Sequence, residues 1–361
     1  MVANSRSAVD MLPHVERRLG GLVLTGVTSL AQCRALRHVS PDLVLAVDHE
    51  SHTLAYATET EAFGLRTSDG WRHLATDDLD EVLTGQLRNG ASFAVTPTMF
   101  LGHTDGPPTL RNIMRQANRL RREDTVVLIA CSYKWLQAPL LNELADRIGE
   151  CPHPVALTLA SNGDPLERQG VPEGLRQLCR TCPNVVLWRT DLAAFDALAH
   201  GALAGAIGIT ASLRHGAAPD RAGGGGGWRP FPVVLVGRLL RYLRVETLQD
   251  WFAHSDPWTC DCPVCAGAPL TRFTDTTASV LTARQHDVHA LYNLHREAVA
   301  SSPGHDRLEW WRQKLQDSYD LHRQLARQAD MELSIPRVLQ AWRRQTPLPL
   351  HSPRHDPSRA I

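Results

Sequence analysis

Eight short apolar runs, at 22–28, 43–48, 92–98, 126–132, 154–160, 185–191, 205–210 and 233–237, constrain this chain more than any other feature. Runs of this length, rich in Val, Ile and Leu and apolar almost throughout, suit parallel strands buried on both faces. Amphipathic, helix-like stretches separate most of them, among them 110–122, 136–149, 173–179 and 192–201. Eight strand–helix units in succession predict an α/β chain whose residues 1–250 form a (β/α)8 TIM barrel. A doubly wound open sheet uses the same units, because periodicity does not report closure.

After the eighth run the pattern changes. Cys260, Cys262 and Cys265 place three thiols within six residues, and His289 follows in a helix-like stretch at 283–299. Three thiolates and one imidazole complete a tetrahedral zinc shell, and four protein ligands leave no open position for water or substrate. The expected cofactor is therefore a structural zinc. His286 and His295 lie on the same stretch, and helix-face spacing selects His289 from the three. Residues 251–345 then read as a zinc-binding subdomain with C-terminal helices, and 346–361, rich in Pro, Ser and His, as a disordered tail. The other five cysteines form no regular disulfide framework, and Cys179 and Cys182 read as semi-buried thiols in a loop.

Composition narrows the class of protein. With 38 basic and 38 acidic residues the chain has no global field, so any nucleic-acid surface must be local. No apolar run approaches 18 residues and residues 1–10 are polar, which predicts a cytoplasmic protein without a membrane span.

In a barrel of this kind the active site forms at the C-terminal ends of the strands. Asp48 closes the second run and is followed by His49 and Glu50; Arg189 and Asp191, two apart, share one face of the sixth. The seventh run ends near Arg214 and His215, and the third and fourth near Thr96, Thr98, Ser132 and Lys134. The commoner fate of a single polar residue at such a place is a helix cap or a loop ion pair. Arg111, Arg115, Arg119 and Arg122, at three- and four-residue steps, form a candidate nucleic-acid stripe on one helix. The glycine run at 223–227 before Trp228 reads as a lid or linker.

A barrel followed by C-x-C-x2-C and a helical His resembles the tRNA-guanine transglycosylase superfamily. The segment from Ala283 to Tyr292 resembles that family's ligand-bearing helix, with Ala-Leu after His289 where the family has Asn-Leu. The resemblance implies exchange of guanine in tRNA or DNA for a 7-deazaguanine base. It implies an Asp nucleophile, a second carboxylate that handles protons, and a homodimer or a catalytic partner subunit. The run from Asp48 to His52 stands where the family has Asp-Ser-Gly-Gly, and the last run, 233–237, has no Asp. The family's nucleophile motif is thus missing, and Asp191 is the first choice for that role, paired with Asp48. His49, Arg189, Arg214 and His215 are then the substrate-binding candidates. The alternative is a non-catalytic zinc-containing paralogue that binds nucleic acid or a catalytic partner. Zinc-dependent deamination is disfavoured, because Asp261 precedes Cys262 where that chemistry has Pro, and neither H-x-E match is placed suitably.

Overall fold

The computed structural model describes residues 1–67, 69–104, 106–221, 231–328 and 333–344. The predicted lid at 223–227 and tail at 346–361 lie outside the described residues. The strands are β1 (Val2–Asn4), β2 (Gly21–Thr25), β3 (Val44–Asp48), β4 (Gly64–Thr67), β5 (Gly70–His73), β6 (Ala94–Val95), β7 (Thr125–Ser132), β8 (Val155–Ala160), β9 (Val185–Thr190), β10 (Ala204–Ile207), β11 (Val233–Val236) and β12 (Arg241–Arg244). The helices are α1 (Ser5–Met11), α2 (Ser29–Val39), α3 (Thr76–Arg88), α4 (Gly106–Ala117), α5 (Leu140–Gly149), α6 (Val171–Thr181), α7 (Ala193–Ala199), α8 (Val245–Trp251), α9 (Thr277–Ala300), α10 (His305–Gln328) and α11 (Arg337–Arg344).

Seven of the eight apolar runs become β2, β3 and β6 to β10, and all pair in parallel. They form a three-stranded sheet, β1-β2-β3, and a five-stranded sheet, β10-β9-β8-β7-β6. Isolated contacts, not a ladder, span the two gaps. Ser92 N donates to Leu45 O at 2.7 Å, and Ile209 N donates to Val2 O at 3.1 Å beside an isolated bridge from Val2 to Gly208. The result is a mixed α/β fold whose parallel sheet is curled and not closed by a continuous ladder.

The eighth run departs from expectation. β11 pairs antiparallel with β12, with Val233 opposite Arg244 and Val236 opposite Arg241. A turn at Gly237–Leu239, with Leu240 in the left-handed region at φ 46°, reverses the chain before any crossover helix can form, and parallel pairing needs such a crossover. The place beside β2 goes instead to β1, whose Val2 and Ala3 are fully buried. Three residues in a polar-looking start were too few to register as a strand.

One core, including Val2, Val23, Ala46, Leu128, Val186 and Trp188, lies on one side of the sheet, and a larger one lies between the strands and helices α3 to α7. A third joins β11, β12 and α8 to Cys262 and Cys265. Helix α9 contributes to all three, through Leu291 and Leu294, Val288 and Tyr292, and Ala283. Its start is fixed by Thr276, which accepts from Ser279 N. The C-terminal helices are clamped by a buried ion pair, Arg176 to Asp196 at 2.6 Å. Trp311 Nε1 donates to Asp196, and Arg176 donates to the Trp342 carbonyl.

Candidate metal centre and carboxylate cleft

The three thiols converge on one imidazole, and it belongs to His286. Nδ1 of His286 lies 3.5 Å from Cys260 Sγ, 3.6 Å from Cys262 Sγ and 3.4 Å from Cys265 Sγ. Zinc bonds of ordinary length at tetrahedral angles put S and N about 3.6 Å apart, so the cluster has the dimensions of a metal shell. Its backbone is that of a tight knuckle. Cys265 N and Ala266 N donate to Cys262 O, and Ala266 and Gly267 turn the chain through φ 48° and 83°. Nε2 of His286 donates to Leu235 O at 3.1 Å, which leaves Nδ1 free of a proton to ligate. Arg272 donates to Cys265 Sγ at 3.3 Å, a bond suited to a thiolate. The set Cys260, Cys262, Cys265 and His286 is a buried Cys3His cluster able to coordinate a metal ion. His289 is displaced from the expected role. It lies three residues further round α9 and meets His14 at 3.0 Å.

Asp48 ends β3 as expected, but it is 1 % exposed. Oδ1 accepts from Glu50 N at 2.8 Å and Oδ2 from Trp188 Nε1 at 3.2 Å. Arg189 places Nη1 3.9 Å from Asp48 Oδ2 and 3.2 Å from His52 Nε2, and Nη2 2.9 Å from Glu50 Oε1. Burial acts to raise the Asp48 pKa, but His52 and Arg189 outweigh it and hold the carboxyl below its ordinary range. Burial also brings His52 down to about 4, so the ring is neutral near pH 7 and Arg189 is the working counter-charge. Two members of this network sit in left-handed backbone, Glu50 at φ 57° and Arg189 at φ 48°. Non-glycine residues there cost about 1–3 kcal/mol each, a strain that collects at functional sites.

The strain at Arg189 has a visible cause. Between β9 and β10 the register skips, with Ala206 opposite Trp188 and Ile207 opposite Thr190. Arg189 is the extra residue of a bulge, and both it and Trp188 therefore reach Asp48. This overturns the expectation that Arg189 and Asp191 share a face. His49, the other neighbour expected to hold substrate, is half-buried, its Nε2 atom is buried with no partner among the described residues, and desolvation lowers its pKa.

Asp191 belongs to a different cluster. Its Oδ1 accepts from Ala193 N at 2.9 Å, opening α7, and its Oδ2 lies 3.8 Å from His215 Nε2. Asp164, four residues past β8, accepts from Leu166 N at 2.8 Å. Ligating atoms of Asp164, Asp191 and His215 all lie within 4.8 Å of one another. Burial first, then the charge of Asp191, raise Asp164 to about 7, whereas burial lowers His215. Asp164, Asp191, Arg241 and Tyr242 line a cleft of about 650 Å³. The Tyr242 hydroxyl is buried with no partner among the described residues. Asp164 has no signature at a strand end in the sequence, because it lies four residues past β8, after the turn Asn162-Gly163. Arg214 braces the site from behind, stacked 3.3 Å over the Tyr242 ring with Nε donating to Gly208 O.

Across the β8–α6 loop lies a larger cleft of about 950 Å³, lined by Lys134, His103, Arg168, Arg221 and Tyr133. Lys134 Nζ is 3.0 Å from His103 Nε2, and burial followed by that ammonium lowers the His103 pKa. The four arginines of the candidate nucleic-acid stripe do not share one helix. Helix α4 ends at Ala117, before Arg119 and Arg122. Arg111 pairs with Glu143, Arg115 donates to Asn112, and Arg122 is held by Asp80 and Asp124. No described helix is long and apolar enough to cross a membrane.

No protein-family model matches this chain, and no curated protein matches it.

Proposed function

We propose that this protein is a divergent nucleobase transglycosylase that exchanges guanine in tRNA or DNA for a 7-deazaguanine base. The observation that carries this reading is the spacing of Asp164 and Asp191, within 4.8 Å on the wall of an open cleft. Carboxylates about 5 Å apart suit double displacement at a sugar carbon, because they leave no room for a water between them. Asp191 attacks C1′ as the C1′–N9 bond breaks, and the departing guanine takes the proton of Asp164, which its raised pKa keeps available near neutrality. The incoming base then gives its N9 proton to Asp164, and N9 displaces Asp191 from C1′. The cationic cleft beside it, with Lys134, Arg168 and Arg221, suits the phosphates of the polymer.

Two features agree with the resemblance read from sequence. The contacts of Ser92 with Leu45 and of Ile209 with Val2, one at each gap between the two sheets, support reading them as a (β/α)8 barrel with β1 as its eighth strand. The Cys3His cluster beyond it suits a structural zinc. One observation favours a second reading. Asp48, where the resemblance implies a family carboxylate, is sealed by Trp188 and Arg189. A non-catalytic zinc-bearing paralogue, binding nucleic acid or a catalytic partner, would have that arrangement.

Exchange of radiolabelled guanine or deazaguanine into tRNA and duplex DNA tests the proposal. Asp191→Asn and Asp164→Asn are expected to lower exchange by at least two orders of magnitude each with zinc content unchanged. Full activity in both variants would remove the pair from the mechanism. Polymer binding without exchange in the wild type, with each base and polymer, would establish the non-catalytic reading.

A further inference from the structure

A second cavity, of about 600 Å³, lies at the opposite end of the strands, between their N-terminal ends and helices α7 and α9. That volume is within the range of small-molecule sites. Barrel-type interiors are filled by bulky branched side chains, yet the lining here carries Gly21, Ala46, Ala204 and Ala206. The space is thus built by small residues at strand positions where large ones are the rule. Apolar surface continues out of it. Val44, Leu203 and Val299 belong to the lining while 43 %, 56 % and 45 % exposed.

Among the described residues the lining includes no carboxylate, and its charged side chain is Arg307, with His295 and Tyr292 on the same wall. Arg307 is fixed in place, donating from Nε to Ala298 O at 3.0 Å and from Nη2 to Ser301 O at 3.4 Å. Trp188 also lines the cavity, and its Nε1 donates to Asp48 on the other side.

We propose that this cavity binds a linear aliphatic carboxylic acid, with its chain among the small residues of the strands and its carboxylate on Arg307. The apolar lining selects the chain, and the Arg307 guanidinium, unopposed by any carboxylate among the described lining residues, selects the head group. Trp188 then lies against the bound chain, so that occupation alters indole emission.

The test titrates decanoate and decanol into the zinc-loaded full chain, followed by calorimetry and by tryptophan emission. Saturable binding of one decanoate is expected, with decanol at least tenfold weaker and the emission change lost in Trp188→Phe. Leu203→Glu, at an exposed rim position, is expected to weaken decanoate at least tenfold with little change in Tm. Ala46→Leu and Ala206→Leu, which fill the space, are expected to abolish binding. Should the filling variants fail to fold, Leu203→Glu decides alone. Absence of decanoate binding, or binding indifferent to Leu203→Glu, overturns the proposal. So does a concentration-dependent dimer broken by Leu203→Glu in the absence of decanoate binding, which would show that a second copy covers the entrance.

Discussion

Arg189 and Asp164 show how neighbours, not residue type, set what a side chain does. Arg189 satisfies Asp48, Glu50 and His52 at once, so Arg189→Met leaves the buried Asp48 and the half-buried Glu50 without their counter-charge. A loss of about 3 kcal/mol is expected in urea unfolding, with much of it recovered by adding Asp48→Asn; equal losses in the single and double variants would deny the coupling. Asp164 behaves oppositely. Its folded pKa of about 7 exceeds the ordinary 3.8, so stability is full below the lower value and declines as pH rises through the higher one. Asp164→Asn removes that decline. Its advantage over wild type in unfolding free energy is expected to grow between pH 5 and pH 8, reaching roughly 2 kcal/mol with the cost shared between two carboxylates that titrate together. An advantage that is constant with pH would mean that Asp164 is not raised. Asp48 and Asp191 were visible in the sequence as polar residues after apolar runs. Their partners were not, because the register skip that turns Arg189 toward Asp48 has no signature in the pattern of residues, and Asp164 is brought to Asp191 by tertiary structure alone.

Helix α9 is the element on which the metal centre depends. His286 faces the thiols, Asp287 accepts from Leu235 N, and His289 faces His14, so three near-consecutive residues serve three neighbours. Helix periodicity alone separates His286 from His289 by one turn, and the two share a face closely enough that spacing could not choose between them. Only the approach of the knuckle beneath β11 decides. His286→Ala is expected to lose zinc by elemental analysis and to lower stability, because bound structural metal contributes folding free energy. His289→Ala is expected to keep both. The reverse outcome would return the fourth ligand to His289. The short apolar runs were legible as strands for a related reason: burial on both faces leaves little choice of residue. β1 and the β11–β12 hairpin were not legible, since the first is three residues long and the second carries an apolar run indistinguishable from a sheet strand until its turn is seen.

At the scale of the molecule, chemistry is divided between the two ends of one curled sheet. Polar clefts with carboxylates and cations lie at the C-terminal ends of the strands, and an apolar cavity at the N-terminal ends, with Trp188 and the Asp48 network between them. The Cys3His cluster stands outside this axis, packed on the hairpin and α9. Covalent bonding of the proposed nucleophile Asp191 to a nucleic-acid sugar is tested most directly by trapping the adduct. Wild-type protein incubated with tRNA or duplex DNA and an unreactive guanine analogue, then denatured and digested, is expected to yield a nucleotide-modified peptide containing Asp191. Asp191→Asn is expected to yield none. An adduct mapped to another residue, or none with either polymer while guanine exchange proceeds, would contradict it.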